Sequence, residues 1–116
     1  MKPQSACTNF LTMNYLANAF SLAMLPHHDN IQVLVSKISF LDVPIDAISI
    51  VGHEATCKMY SRMLNRPVLL NRTTTRIQPG DMIFVGQWIG PRLPENTTIL
   101  PDEDQLIWLR VALPLL

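Results

Sequence analysis

The run Met82-Ile-Phe-Val-Gly-Gln-Trp-Ile89 narrows the possible folds more than any other stretch. It is apolar at odd and even positions alike, so a strand built from it is buried on both faces and needs packed layers on both sides of its sheet. Just upstream, Pro79-Gly80 sets proline and glycine where a type II turn wants them. Beyond that turn lies Val68 to Gln78, with a β-branched stretch at Thr73 to Thr75. The two segments are expected to pair as neighbouring strands.

The remaining elements alternate around this core strand. Tyr15 to Asn18 reads as a short strand running into one or two helical turns over Ala19 to Leu25. Pro26 stops those turns, because it has no N–H to donate and disfavours helix in the residue before it. Ile31, Val33 and Val35 alternate, and the phase then shifts to Ile38 and Phe40, as in a strand bulged near Ser36 or a strand that turns. Pro44 is expected to open a helical segment with Ile45, Ile48 and Val51 on one face. Gly52 interrupts it, and a second helix starts near His53 or Glu54 and reaches about Leu64. There Ala55, Met59, Tyr60, Met63 and Leu64 repeat at the spacing of a buried face, with Lys58, Ser61 and Arg62 outward. Glu54 and Arg62 sit at the ends that suit the helix dipole, and Asn65-Arg66-Pro67 ends the helix.

Gly90 to Asn96 is a proline-stiffened loop carrying Arg92 and Glu95, and the acidic stretch Pro101 to Asp104 suits one helical turn. Leu106 to Leu113 alternates as a final strand. The sum is an α/β domain, residues 14–116, with a mixed sheet of about four to six strands and helices between them. Residues 1–13 lack periodicity and read as an N-terminal extension.

Composition excludes several function classes. The chain has 116 residues and a formal net charge of +0, with no Lys/Arg cluster. That argues against a grip on long duplex nucleic acid, while a few arginines converging in space can still hold a small polyanion. The apolar stretch Ala17 to Leu25 is too short to span a bilayer. Cys7 and Cys57, with no signal peptide ahead of them, are expected to be reduced thiols in a cytoplasm. His27-His28 has no Cys or His partner at ligand spacing, so neither a metal nor another cofactor is expected.

The ends of the apolar segments deliver Asn18, Ser21, His53, Asn71, Arg72, Arg92 and Glu95. Asn18 and Ser21 read either as cap residues or as phosphate ligands at the first helix entrance. There is no phosphate loop, no nucleophile elbow, no zinc set and no carboxylate pair at helical spacing. Taken alone, these residues favour a binding or structural module over a catalyst. One chemistry does suit them. RNA self-cleavage brings its own 2′-hydroxyl and needs from the protein a shape, an arginine for the phosphate oxygens and an acid for the departing 5′-oxygen. His53 is a natural acid near neutrality, Arg92 offers a planar fork, and Glu95 can steer either one.

The stretches Tyr15-Leu-Ala-Asn-Ala-Phe-Ser-Leu-Ala-Met-Leu25, Gly52-His-Glu-Ala-Thr56, Asn71-Arg72 and Arg92-Leu-Pro-Glu95 resemble, in order and spacing, the viral anti-CRISPR ring nucleases. These are small proteins of archaeal viruses and phages, long carried as a domain of unknown function. The resemblance spans about residues 14–113. It implies a homodimer of α/β subunits with a sheet of about five strands. It further implies a pocket across the two-fold axis that takes cyclic tetra-adenylate, the second messenger of type III CRISPR defence, in the host cytoplasm. The ring would be cut without metal to linear di-adenylate ending in a 2′,3′-cyclic phosphate. Residue by residue, His53 matches the general acid, Arg92 and Glu95 the catalytic loop pair, Arg72 a ligand-facing arginine, and Asn18 and Ser21 polar pocket residues. Asn71, beside Arg72, goes with the ligand-binding set. Ala23 and Ala55 stand where members often carry asparagine and serine. Two other readings stay open: a binder that sequesters the ring without cutting it, and a viral structural or host-factor-binding protein in which His53 is a satisfied, half-buried histidine.

Overall fold

A computed structural model describes residues 12–26, 30–90 and 106–114. Five strands form one sheet: β1 (Asn14–Ala17), β2 (Leu34–Lys37), β3 (Ile48–Ser49), β4 (Met82–Trp88) and β5 (Leu106–Ala112), in the order β2-β5-β4-β1-β3. One helix, α1 (Glu54–Leu64), and two 3-10 turns, Leu22–Met24 and Phe40–Asp42, complete the regular structure of the described residues. The fold is therefore α/β with a mixed sheet. β1 runs parallel to both β3 and β4, whereas β5 is antiparallel to both β4 and β2.

β4 occupies the position its sequence demands. Ile83, Phe84 and Val85 are all buried, and successive side chains enter opposite layers. On one face Phe84, Leu16 and Trp108 pack against Ala55, Met59 and Tyr60 of α1. On the other, Ile83, Val85 and Val111 gather with Ala17, Ile50, Ile77 and Leu113. α1 matches the expected inward set: Ala55, Met59 and Tyr60 are buried, and Asn65 ends the helix in the left-handed conformation at φ 54°. Ser61, read as outward, is half-buried, and its hydroxyl accepts the Val68 N–H at 2.9 Å. The Pro79-Gly80 turn also forms as read, with Gly80 at φ 96° and Asp81 N–H donating to Gln78 O at 2.9 Å.

Three expectations are corrected. Val68 to Gln78 contains no strand, because β4 already has β1 on one edge and β5 on the other. The segment runs beside β3 instead: Ser49 Oγ donates to Leu69 O at 2.6 Å, and Asn71 N–H donates to Val51 O at 2.8 Å. Pro44 opens a single turn, closed by Ala47 N–H to Pro44 O, and not a helix. Ile45 is 86% exposed, so a helical face there would have nothing to bury, and Ile48 and Ser49 pair with β1 instead. The turns expected over Ala19 to Leu25 shrink to Leu22–Met24, a 3-10 turn that buries none of its side chains. The alternating stretch of Ile31 to Phe40 yields β2 with no bulge at Ser36, since Leu34 to Lys37 pair one-to-one with Ala112 to Leu109; the chain turns instead, with Ser39 and Asp42 forming a capping box around the second 3-10 turn.

One detail of the sheet positions the site. β1 stays beside β4 only as far as the Ala17–Val85 pair, while β4 continues through Gly86, Gln87 and Trp88 alongside β5. Where β1 departs, the Tyr60 hydroxyl takes its place. It accepts from Gly86 N–H at 2.8 Å, and its single proton faces Gly86 O at 2.6 Å and Ala17 O at 3.0 Å. Gly86 must be glycine for this, since a Cβ there would lie 2.8 Å from Tyr60 Cε1 and 3.0 Å from Trp108 Cη2. Burial pushes the Tyr60 phenol well above its ordinary value and keeps it a neutral donor.

Candidate functional site

The parallel strands β1, β3 and β4 all end toward the N-terminus of α1. Crevices at the carboxyl ends of parallel strands are where α/β sheets habitually bind ligands. A pocket of about 270 Å³ lies there, lined by Asn18, Ala19, His53, Thr56, Gly86, Gln87, Trp88 and Leu106. Its walls are the chain just beyond β1, the first turn of α1 and the free end of β4.

His53 is the N-cap residue of α1, in extended conformation, and its side chain makes no capping bond. It is exposed and lines the pocket. The first N–H groups of the helix therefore have no side-chain cap from this residue, and an anion can take that place. The peptide just before His53 is fixed from two sides. Asn18 Oδ1 accepts from Gly52 N–H at 3.0 Å, and Arg72 Nε donates to Gly52 O at 2.7 Å. The Arg72 side chain packs so close that a Cβ on Gly52 would meet its Cγ at 3.2 Å. The terminal nitrogens of Arg72 meet no acceptor among the described residues, which leaves the outer part of the fork for a ligand.

Asn18 thus has a different role from helix capping. It belongs to the pocket wall and also holds the backbone ahead of His53. The cap of the Leu22–Met24 turn is Ser21, whose Oγ accepts from Ala23 N–H at 3.2 Å. Ser21 is absent from the pocket wall. Asn71 Nδ2 donates to Ser49 O at 2.8 Å, so its amide braces the β3 edge one residue from Arg72. Arg92 and Glu95 lie outside the described residues.

Three pocket residues went unread in the sequence. Thr56 sits within the Gly52 to Thr56 motif and is one of the few buried polar side chains. Gln87 is the sole amide in the apolar run from Met82 to Ile89, and that oddity was its available signal. Trp88 follows it at the end of β4. Cys57, one residue past Thr56, is buried and free. Burial, and secondarily the Glu54 carboxylate, raise its pKa and keep it a thiol at neutral pH, so it is not an activated nucleophile. Among the described residues no group of His, Cys, Asp or Glu is placed to hold a metal ion, and no helix is long and apolar enough to cross a membrane.

A sequence model of the STIV B116-like family matches residues 14–106. Among solved structures, the chain is similar to B116 of Sulfolobus turreted icosahedral virus, with a TM-score of 0.69 and 20% sequence identity, over 86% of this chain and 98% of that one. At that identity the likeness carries the fold. No curated protein matches the chain.

Proposed function

The chain belongs to the STIV B116-like family, and we propose that it is a metal-independent ring nuclease that suppresses type III CRISPR signalling in the host cytoplasm. In this reading it binds cyclic tetra-adenylate and cuts it to linear di-adenylate with 2′,3′-cyclic phosphate ends. The observation that carries the reading is the placement of His53: exposed on the pocket wall, at an open helix start, on a peptide fixed by Asn18 and Arg72.

The chemistry follows from that placement. The substrate's 2′-oxygen attacks phosphorus and its proton passes to water. The bond from phosphorus to the 5′-oxygen breaks, and the imidazolium of His53 protonates the leaving oxygen. The N–H groups at the start of α1 and the outer fork of Arg72 stabilise the charge that gathers on the phosphate. Arg92 and Glu95 are assigned to the same step, with Glu95 orienting Arg92. Two such cuts turn the ring into two di-adenylates, each with a 5′-hydroxyl.

Pocket size bears on stoichiometry. About 270 Å³ is just below the usual size of small-molecule sites, roughly 300 Å³ and upward. It suits one nucleotide unit of the ring and not all four. A homodimer with a ring shared across its two-fold axis resolves this, since each protomer takes one scissile phosphate and every arginine counts twice.

A sequestering role gains support from one observation: Asn18 Oδ1 accepts from Gly52 N–H and Ser21 Oγ from Ala23 N–H, leaving less to grip a ligand. One experiment separates the readings. Labelled cyclic tetra-adenylate is mixed with excess protein in EDTA and the products are resolved. Cleavage to di-adenylate is expected, with His53→Ala still binding the ring but cutting about 10²- to 10⁴-fold more slowly. A ring that stays intact but bound leaves the sequestering reading, and a His53→Ala variant of undiminished rate removes His53 from the mechanism.

A further inference from the structure

We infer that Tyr60 is a positioning residue for the cleavage step: its hydroxyl ties the pocket walls together from behind and, through Asn18, fixes the peptide that carries His53. This rests on the ring-nuclease reading and adds to it a residue that lies outside the pocket lining.

Each partner of the hydroxyl leads directly into a pocket residue. Ala17 O belongs to the peptide that enters Asn18, and Gly86 O to the peptide that enters Gln87. Gly86 N–H is held as well, so both backbone polar groups of this pocket residue meet one oxygen. The β1–β4 ladder ends at the pair Ala17 and Val85, and the hydroxyl spans the two walls at the next level. The link then runs on to the acid. Asn18 Oδ1 accepts Gly52 N–H at 3.0 Å, and Gly52 is joined directly to His53. From His53, α1 returns to Tyr60 in about two turns, the first closed by Cys57 N–H donating to His53 O at 3.0 Å. Tyr60, Ala17, Asn18, Gly52 and His53 therefore form one closed circuit of covalent and hydrogen bonds beside the pocket. Such a circuit fixes the entrance of α1 against the sheet, which His53, without a capping bond of its own, does not do for itself. Tyr60 is held firmly enough to close it. It is fully buried, and the Trp108 ring lies against it with centroids 4.7 Å apart. An acid must come within hydrogen-bond reach of the leaving oxygen, and a misplacement of about 1 Å can cost roughly 10²-fold in rate.

The test measures binding and single-turnover cleavage of cyclic tetra-adenylate by the full chain as wild type, Tyr60→Phe, His53→Ala and the double variant. Gly80→Ala, which strains a turn outside the pocket lining, is the structural control. Tyr60→Phe is expected to cut about 10- to 100-fold more slowly while binding the ring within about fivefold of wild type. In the His53→Ala background the same substitution should change the residual rate by less than about threefold, because the acid it positions is gone. Gly80→Ala should cut at the wild-type rate. Equal slowing by Tyr60→Phe in both backgrounds, a loss confined to affinity, or a slowing matched by Gly80→Ala overturns the proposal and leaves the nuclease reading standing. So does a folded Tyr60→Phe protein that cuts at the wild-type rate. If the phenylalanine variant unfolds in buffer, every protein is compared in trimethylamine oxide, which favours the compact state, and the same outcomes decide. A wild-type protein that leaves the ring intact overturns the nuclease reading and the proposal together.

Discussion

Replacing Tyr60 by phenylalanine deletes one oxygen and leaves the ring in place, so its consequence can be worked from three distances. The hydroxyl accepts Gly86 N–H at 2.8 Å and faces Gly86 O at 2.6 Å and Ala17 O at 3.0 Å. All of this happens in a buried position, with Tyr60 at 0% exposure. Removing the oxygen strands the Gly86 N–H in a dry interior, a cost of about 1–3 kcal/mol. The two carbonyls lose a shared donor, which adds to the loss by about 1 kcal/mol at most. A total of about 1–4 kcal/mol is a large part of the stability of a chain this size, about 5–15 kcal/mol. Urea unfolding at pH 7 should show it as a lower midpoint with an unchanged slope.

The alkaline limb gives an independent signature. Burial raises the folded-state pKa of Tyr60 above the unfolded value of 10.0, so the unfolded chain releases this proton first as pH rises. The stability that goes with a neutral Tyr60 is therefore complete below about pH 10 and is lost above it, at about 1.4 kcal/mol per pH unit for one proton. Trp, Phe and the backbone do not titrate in this range, and Tyr15, whose pKa is raised by burial and by the Asp81 charge, is common to both proteins. The wild-type and Tyr60→Phe curves should thus stand apart at pH 7 and converge above pH 10. Variants within about 0.5 kcal/mol of each other at pH 7, or curves that stay parallel into alkali, would refute the assignment of Tyr60 as the surrogate for β1.

Two further substitutions probe the site and its scaffold. Asn18→Ala removes the acceptor for Gly52 N–H; it should cost about 1 kcal/mol of stability yet slow single-turnover ring cleavage by more than that loss implies, and an unchanged rate would show that His53 needs no such support. Gly80→Ala forces a side chain onto φ 96° and should lower the urea midpoint by the equivalent of about 1 kcal/mol or more, leaving ring affinity as it was; a neutral result would mean that the turn rearranges.

What the sequence disclosed and what it hid divide along a physical line. α1, β4, β5 and the Pro79-Gly80 turn were legible because their signals are local: a 3.6-residue stripe, a doubly buried apolar run, and a glycine that tolerates positive φ. The segment from Val68 to Gln78 looked like a strand for the same local reasons, but pairing needs a free edge, and β1 and β5 had taken both edges of β4. β3 was unreadable for the converse reason, since two residues become a strand only because β1 is there to pair with them. His53 was correctly set at a helix entrance, because glycine followed by an amphipathic run marks one. That Asn18 also holds Gly52 was not legible, because the bond joins residues far apart in the chain, a contact no local pattern announces.

The sheet order carries a consequence for biosynthesis. β1 finds its long partner only in β4, and β2 only in β5, so residues near the start of the described chain wait for residues near its end: Met13 N–H is held by Asp81, 68 positions later. Such topologies fold slowly, because distant loops must close before any contact rewards them. During translation the wall bearing Asn18 exists well before the wall bearing Gln87 and Trp88, and until the second emerges the first has only the two-residue β3 to pair with. The pocket is a late product of synthesis. Premature termination before β5 leaves β2 without its partner and one edge of β4 bare, so the wall bearing Leu106 is never built.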